Sequence, residues 1–161
     1  MMYLNSVQCT RNAINCSSDM DVDKIYLGDC LELMKDISDK SIDCIICDLP
    51  YEVLNKSNVN AQWDRIIPFE PLWEQYERIT KENSAIILFA QGMFTARLMM
   101  SNQKYWRYNL IWQKGGRCSG FLNAKKMPLR EHEDIVVFYS KQPIYNRILF
   151  FFMLQNYEYF S

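Results

Sequence analysis

Residues 47–51 read Cys47-Asp48-Leu49-Pro50-Tyr51 and follow a strand-like run, Ser41-Ile42-Asp43-Cys44-Ile45-Ile46. A carboxylate, a backbone carbonyl held beside a proline and an aromatic ring suit one task well. Together they can grip the exocyclic amino group of a base and stack on the ring that carries it. Such chemistry needs the carboxylate at the open end of a strand, where a ligand can reach it.

The elements around the tetrapeptide are readable from their spacing. Lys24-Ile25-Tyr26-Leu27 reads as a buried strand closed by Gly28-Asp29, and Leu31, Leu33, Met34 and Ile37 fall at helical intervals over 30–37. Ser38-Asp39-Lys40 then turns the chain into a strand over 41–47 that ends at Asp48. Two strands joined by a helix form a βαβ unit with parallel strands. A polar, Asn-rich loop covers 52–61 and leads to Trp63-Asp64. Residues 68–81 suit a helix, with Pro71 near its start and Leu72, Trp73, Tyr76 and Ile79 on one face. Ser84–Ala90 is a near-continuous apolar run, the pattern of a strand covered on both sides. Helix is expected again over 92–100, strand over 108–112, a basic loop over 115–128 and a last strand over 134–139.

Alternating strands and helices predict an α/β fold with a doubly wound, mostly parallel sheet. In such sheets ligands bind at the carboxyl ends of the strands. Asp29 and Asp48 are both expected at such ends, on neighbouring strands. The alternative for each is a plain structural role, since Asp also caps turns and helix N-termini.

Length, charge and cysteine usage narrow the field. With 161 residues the chain can hold one domain with a real core. Its net charge of −1 hides an asymmetry: Lys104, Arg107, Lys114, Arg117, Lys125, Lys126, Arg130, Lys141 and Arg147 face only Glu131, Glu133 and Asp134 over 104–147. A basic segment on a near-neutral chain suits a polyanion, although a solvated surface would look the same. The first twenty residues are polar, with no apolar core of a signal peptide, so a cytoplasmic protein with reduced thiols is expected. Cys44 and Cys47 lie three apart on one strand and point to opposite faces, which argues for buried thiols over a shared metal.

The ordered set Ile25-Tyr26-Leu27-Gly28-Asp29-Cys30-Leu31-Glu32, Ser41-Ile42-Asp43 and Asp48-Leu49-Pro50-Tyr51 resembles the amino-directed DNA methyltransferases. Asn109-Leu110-Ile111-Trp112-Gln113-Lys114 is similar to the strand ending in Trp-x-Lys of that family, and Arg130 to Phe138 to its His-Glu stretch before an apolar strand. The likeness spans roughly 24–146 and follows the permuted, beta-type motif order, with Leu49 in place of the more usual proline.

The resemblance implies a Rossmann-like, S-adenosylmethionine-dependent fold that acts on double-stranded DNA, in a restriction-modification setting. It implies that Asp48 and the Leu49 carbonyl accept the two N–H hydrogens of a flipped base, that Pro50 helps aim that carbonyl, and that Tyr51 stacks on the base. Asp opening the motif favours adenine N6 over cytosine N4. Gly28, Asp29 and Asp48 are expected beside the cofactor. Lys114, Arg117, Lys125, Lys126 and Arg130 are expected on DNA phosphates. His132 is a further candidate for DNA contact, with a structural role as its alternative.

The cofactor loop Phe-x-Gly-x-Gly of that family is not found in the chain, and Gly115-Gly116-Arg117-Cys118-Ser119-Gly120 lacks the spacing of a dinucleotide loop. The expected organisation is therefore a polar leader over 1–23, an incomplete catalytic domain over 24–146 and an atypical apolar tail over 147–161, as if truncated before the cofactor motif. Two other functions stay open: an inactive remnant that keeps DNA affinity, and methylation of an RNA or protein amide. Cytosine C5 chemistry is excluded, because it needs a nucleophilic thiol after proline and no cysteine here follows one.

Overall fold

A computed structural model describes residues 20–145, apart from 22, 53–62 and 117–123. Four strands form one mixed sheet in the order β1-β2-β4-β3: β1 (Ile42–Asp48), β2 (Thr80–Ala90), β3 (Trp106–Gln113) and β4 (His132–Phe138). β1 and β2 are parallel, with Asp48 opposite Phe89. β4 inserts between β2 and β3 and runs antiparallel to both. The α/β class is as expected, but the described sheet is mixed where a mostly parallel one is expected: β1–β2 is parallel, and both pairings of β4 are antiparallel.

The crossover from β1 to β2 is made by α2 (Phe69–Ile79). Its buried residues are Leu72, Trp73, Tyr76 and Ile79, the face that the sequence spacing marks out. Trp73 is the pivot. Its ring lies 4.7 Å from that of Phe138 on β4 and meets Tyr76 edge-on at 5.9 Å. Its indole N–H donates to Ser101 Oγ at 2.8 Å, at the end of α3 (Met93–Ser101). α3 buries Phe94, Thr95 and Leu98. With Ile45, Ile86, Leu88, Ala90 and Val136 from the sheet, these side chains make one core.

Arg78 ties the start of the fold to α2. Its Nη1 donates to Ile37 O at 2.8 Å and its Nη2 to Met34 O at 2.6 Å, two carbonyls where α1 (Cys30–Leu33) and the 3₁₀ turn Met34–Asp36 give way to the chain entering β1. Asp39 supplies a counter-charge at 2.5 Å.

Residues 24–27 do not form the buried strand that the sequence suggests. Ile25 is 86% exposed, and Leu27, 53% exposed, makes only an isolated bridge. A short apolar run becomes a strand only when a neighbour takes its backbone hydrogen bonds, and among the described residues it has no ladder to join. The βαβ unit is therefore β1-α2-β2, and Asp29 starts a helix instead of ending a strand. β3 forms the edge of the sheet, with Leu110, Ile111 and Trp112 47–70% exposed. Among the described residues no helix is long and apolar enough to cross a membrane. The expected leader and tail lie outside the described residues.

Truncating Trp73 tests how much this packing contributes. Trp73→Ala is expected to cost about 3–5 kcal/mol in urea unfolding. Trp73→Phe keeps a ring against Phe138 and loses only the bond to Ser101, a cost of about 1 kcal/mol. Equal losses for the two variants would show that the ring contact contributes little.

Candidate active site

β1 delivers Asp48 to the carboxyl end of the parallel pair, where its side chain is exposed. Leu49 and Pro50 turn inward and are buried, Leu49 at 5% exposure. The Leu49 side chain joins the core, which leaves its main chain at the corner. Tyr51 is half-buried, and its ring sits 5.0 Å from Phe94 at an interplanar angle of 33°. Phe69 backs Phe94 at 6.0 Å. The Tyr51 hydroxyl donates to Asp48 Oδ1. Burial pushes the Tyr51 phenol well above its usual range, and the bond to Asp48 and the charges of Asp48 and Glu133 push the same way.

Behind the tetrapeptide lies a carboxylate that the sequence does not single out. Asp64 is 4% exposed, and its Oδ1 accepts the backbone N–H of Tyr51 at 3.0 Å and of Glu52 at 3.1 Å. Glu52 is left-handed, with φ of 60°. A buried acid is invisible in a sequence because Asp after a polar loop looks like any surface acid. Phe94 has a similar history: helical spacing places it on α3, but not beneath Tyr51.

β2 and β4 close the other side. Asp134, opposite Ala90, accepts from Thr95 Oγ1 at 2.6 Å and so pins the first turn of α3 to the sheet. Gly92, just ahead of α3, has φ of 60°, and a Cβ there would lie 3.2 Å from Arg130 Nη1. Glycine thus lets the Arg130 guanidinium lie against the backbone at the mouth of the site.

The other candidates divide. Asp29 caps α1, its Oδ1 accepting the Leu31 N–H at 2.8 Å, and Gly28 packs against Leu33. Asp29 therefore stands at a helix start, not at the end of a strand beside β1. Its neighbour Cys30 is still close to the end of β1: the Cys47 thiol is pushed up to about 11, chiefly by burial, with Cys30 contributing. Cys30, Cys44 and Cys47 are free thiols. Lys114 pairs with Glu133 across the β3–β4 ladder and lies 5.3 Å from the Trp112 ring centroid. Lys125, Lys126, Arg130 and His132 are exposed in the segment leading into β4, at the same end of the sheet as Asp48. Arg117 lies outside the described residues.

The Asp48–Tyr51 contact makes a pH prediction. A phenol that ionises higher in the folded state than its free value of 10.0 adds stability that is full below that value and declines as pH rises past it. The stability gap between the wild type and Tyr51→Phe, measured by urea unfolding, is expected to hold constant below about pH 9 and to narrow above about pH 10. A gap that widens with alkalinity would refute the hydrogen bond as drawn.

No protein-family model matches the chain. It is 30% identical to the type II methyltransferase M.HinfI of Haemophilus influenzae over 111 residues, which are 56% of this chain and 31% of that protein. Its fold matches the M1.HpyAVI–SAM complex with a TM-score of 0.51 at 17% identity, over 76% of this chain and 59% of the other. It also matches the cytosine-N4-specific PvuII DNA methyltransferase with a TM-score of 0.52 at 13% identity, over 73% and 49%. The chain thus spans 31% of the curated relative and 49–59% of these two structures. The chain is thus similar in sequence to part of one DNA methyltransferase and shares the fold of part of two others.

Proposed function

We propose that the site transfers a methyl group from S-adenosylmethionine to the exocyclic amine of a base flipped out of double-stranded DNA, with adenine N6 as the target. The observation that carries this reading is the grouping at the end of β1: an exposed Asp48 carboxylate, a buried Leu49 that leaves its main chain as acceptor, and a Tyr51 ring seated on Phe94.

An exocyclic amine is a poor nucleophile because its lone pair is delocalised into the ring. Asp48 and the Leu49 carbonyl accept its two hydrogens, draw the nitrogen toward tetrahedral geometry and release the lone pair. The negative charge on Asp48 also stabilises the cationic amine that forms as the methyl arrives. Tyr51 stacks on the extruded base and replaces part of its lost stacking. In this structure the Tyr51 hydroxyl is the donor at Asp48 Oδ1, so an incoming amine takes over an acceptor that is already in use.

S-adenosylmethionine supplies the electrophilic methyl of a sulfonium. The described residues fit it in part: Asp48 places an exposed carboxylate at the end of β1 and Asp29 one at the start of α1, while no glycine loop lies among the described residues at the end of β1. Gly28 and Asp29 would hold the cofactor on this reading. Lys125, Lys126 and Arg130, with His132 beside them, would hold DNA phosphates on the open side of the site.

Incubating the chain with labelled S-adenosylmethionine and duplex DNA tests the reading. Incorporation as N6-methyladenine is expected, and Asp48→Ala is expected to lower the rate by about 10²–10³-fold. N4-methylcytosine as the product would move the target to cytosine. No incorporation by well-folded protein would overturn the activity. For the DNA surface, Lys125→Ala with Lys126→Ala is expected to weaken binding and to reduce the slope of log K against log salt by about two. An unchanged slope would remove both lysines from the interface.

A further inference from the structure

Asp64 takes no direct part in the proposed chemistry, yet it is among the most buried charged residues of the described chain. Two amides converge on one of its oxygens: the N–H groups of Tyr51 and Glu52 donate to Oδ1 at 3.0 and 3.1 Å. Successive amides aimed at one point form an anion-binding concavity. Here the anion is a side chain of the same protein, brought back from twelve residues beyond Glu52.

The geometry explains why such a clamp is needed. Glu52 has φ of 60°, a region that a residue with a Cβ adopts at a cost of about 1–2 kcal/mol. This reversal directly follows the stacking residue. Were it to relax, the Tyr51 N–H would turn with it, and the ring would leave both Phe94 and Asp48. Hydrogen bonds from amides to a buried carboxylate are stronger than those to a neutral acceptor, and two on one oxygen hold the reversal in place.

We infer that Asp64 is the positioning residue of this site: by clamping the Tyr51 and Glu52 amides it sets the Tyr51 ring where an extruded base would stack. What the ring stacks on rests on the methyltransferase reading; the clamp itself does not.

The test compares Asp64→Ala and Asp64→Asn in the full chain by amide hydrogen exchange. Asn keeps an oxygen acceptor of the same shape without the charge. Asp64→Ala is expected to speed exchange at Tyr51 and Glu52 at least about tenfold while Leu88 and Val136 in the sheet keep their protection. Asp64→Asn is expected to restore most of the difference. In methyl transfer, Asp64→Ala is expected to lower kcat while KM for DNA stays within about twofold, and Asp64→Asn to recover kcat. Uniform acceleration across the sheet would show a general stabilising role and overturn the inference. Unchanged exchange at Tyr51 and Glu52 would overturn it too. A wild-type chain that transfers no methyl overturns the activity and not the clamp, which the exchange rates decide by themselves.

Discussion

The parallel pairing of β1 with β2 is the constraint on which the rest of the structure depends. Parallel strands cannot be joined by a tight turn, so the chain must leave the sheet at Asp48 and travel back along a helix before β2 can begin. That forced departure exposes the last residue of β1 and makes the next three residues a corner. Leu49 and Pro50 fill the corner with apolar volume, and Tyr51 comes to rest on the first turn of α3. The return helix must cover the sheet it crosses, and Trp73 does so by touching β4, α3 and its own helix at once. The exposed carboxylate and the crossover are thus two consequences of one strand pairing.

At the corner the polar groups satisfy one another. Asp48 receives the Tyr51 hydroxyl, Asp64 receives two amides, Asp134 receives Thr95, and Glu133 pairs with Lys114. Four acids in a small volume would repel one another if left bare. Each instead accepts a hydrogen, and most of the donors are backbone or hydroxyl groups that bring no charge of their own. The acids are thus satisfied largely without cations, Lys114 being the exception.

Much of this was legible in the sequence, and the failures have a common cause. The amphipathic face of α2, the apolar run of β2 and the Asp48–Tyr51 corner are local patterns, and each is found where its spacing implies. The segment 24–27 has the composition of a strand without the pairing, because pairing depends on residues that no local pattern names. Strand order is similarly non-local: nothing in 132–138 says that it will enter between β2 and β3. The pairing of Lys114 with Glu133 is non-local in the same way, since the β3–β4 ladder brings the two together. Asp64 went unmarked because a carboxylate that caps two distant amides has the same letters as one in solvent.

Arg78 carries a consequence of another kind. One guanidinium links the carbonyls of Met34 and Ile37 to α2, so the entry to β1 and the return from it are riveted at one point. Any motion of the first helical turns relative to α2 must break both of these charged hydrogen bonds together. That turns Cys30–Ile37 and α2 into a single mechanical plate beneath the strand ends. The plate can tilt as a body, but its parts cannot slide, and the aspartate at its upper rim inherits that stiffness.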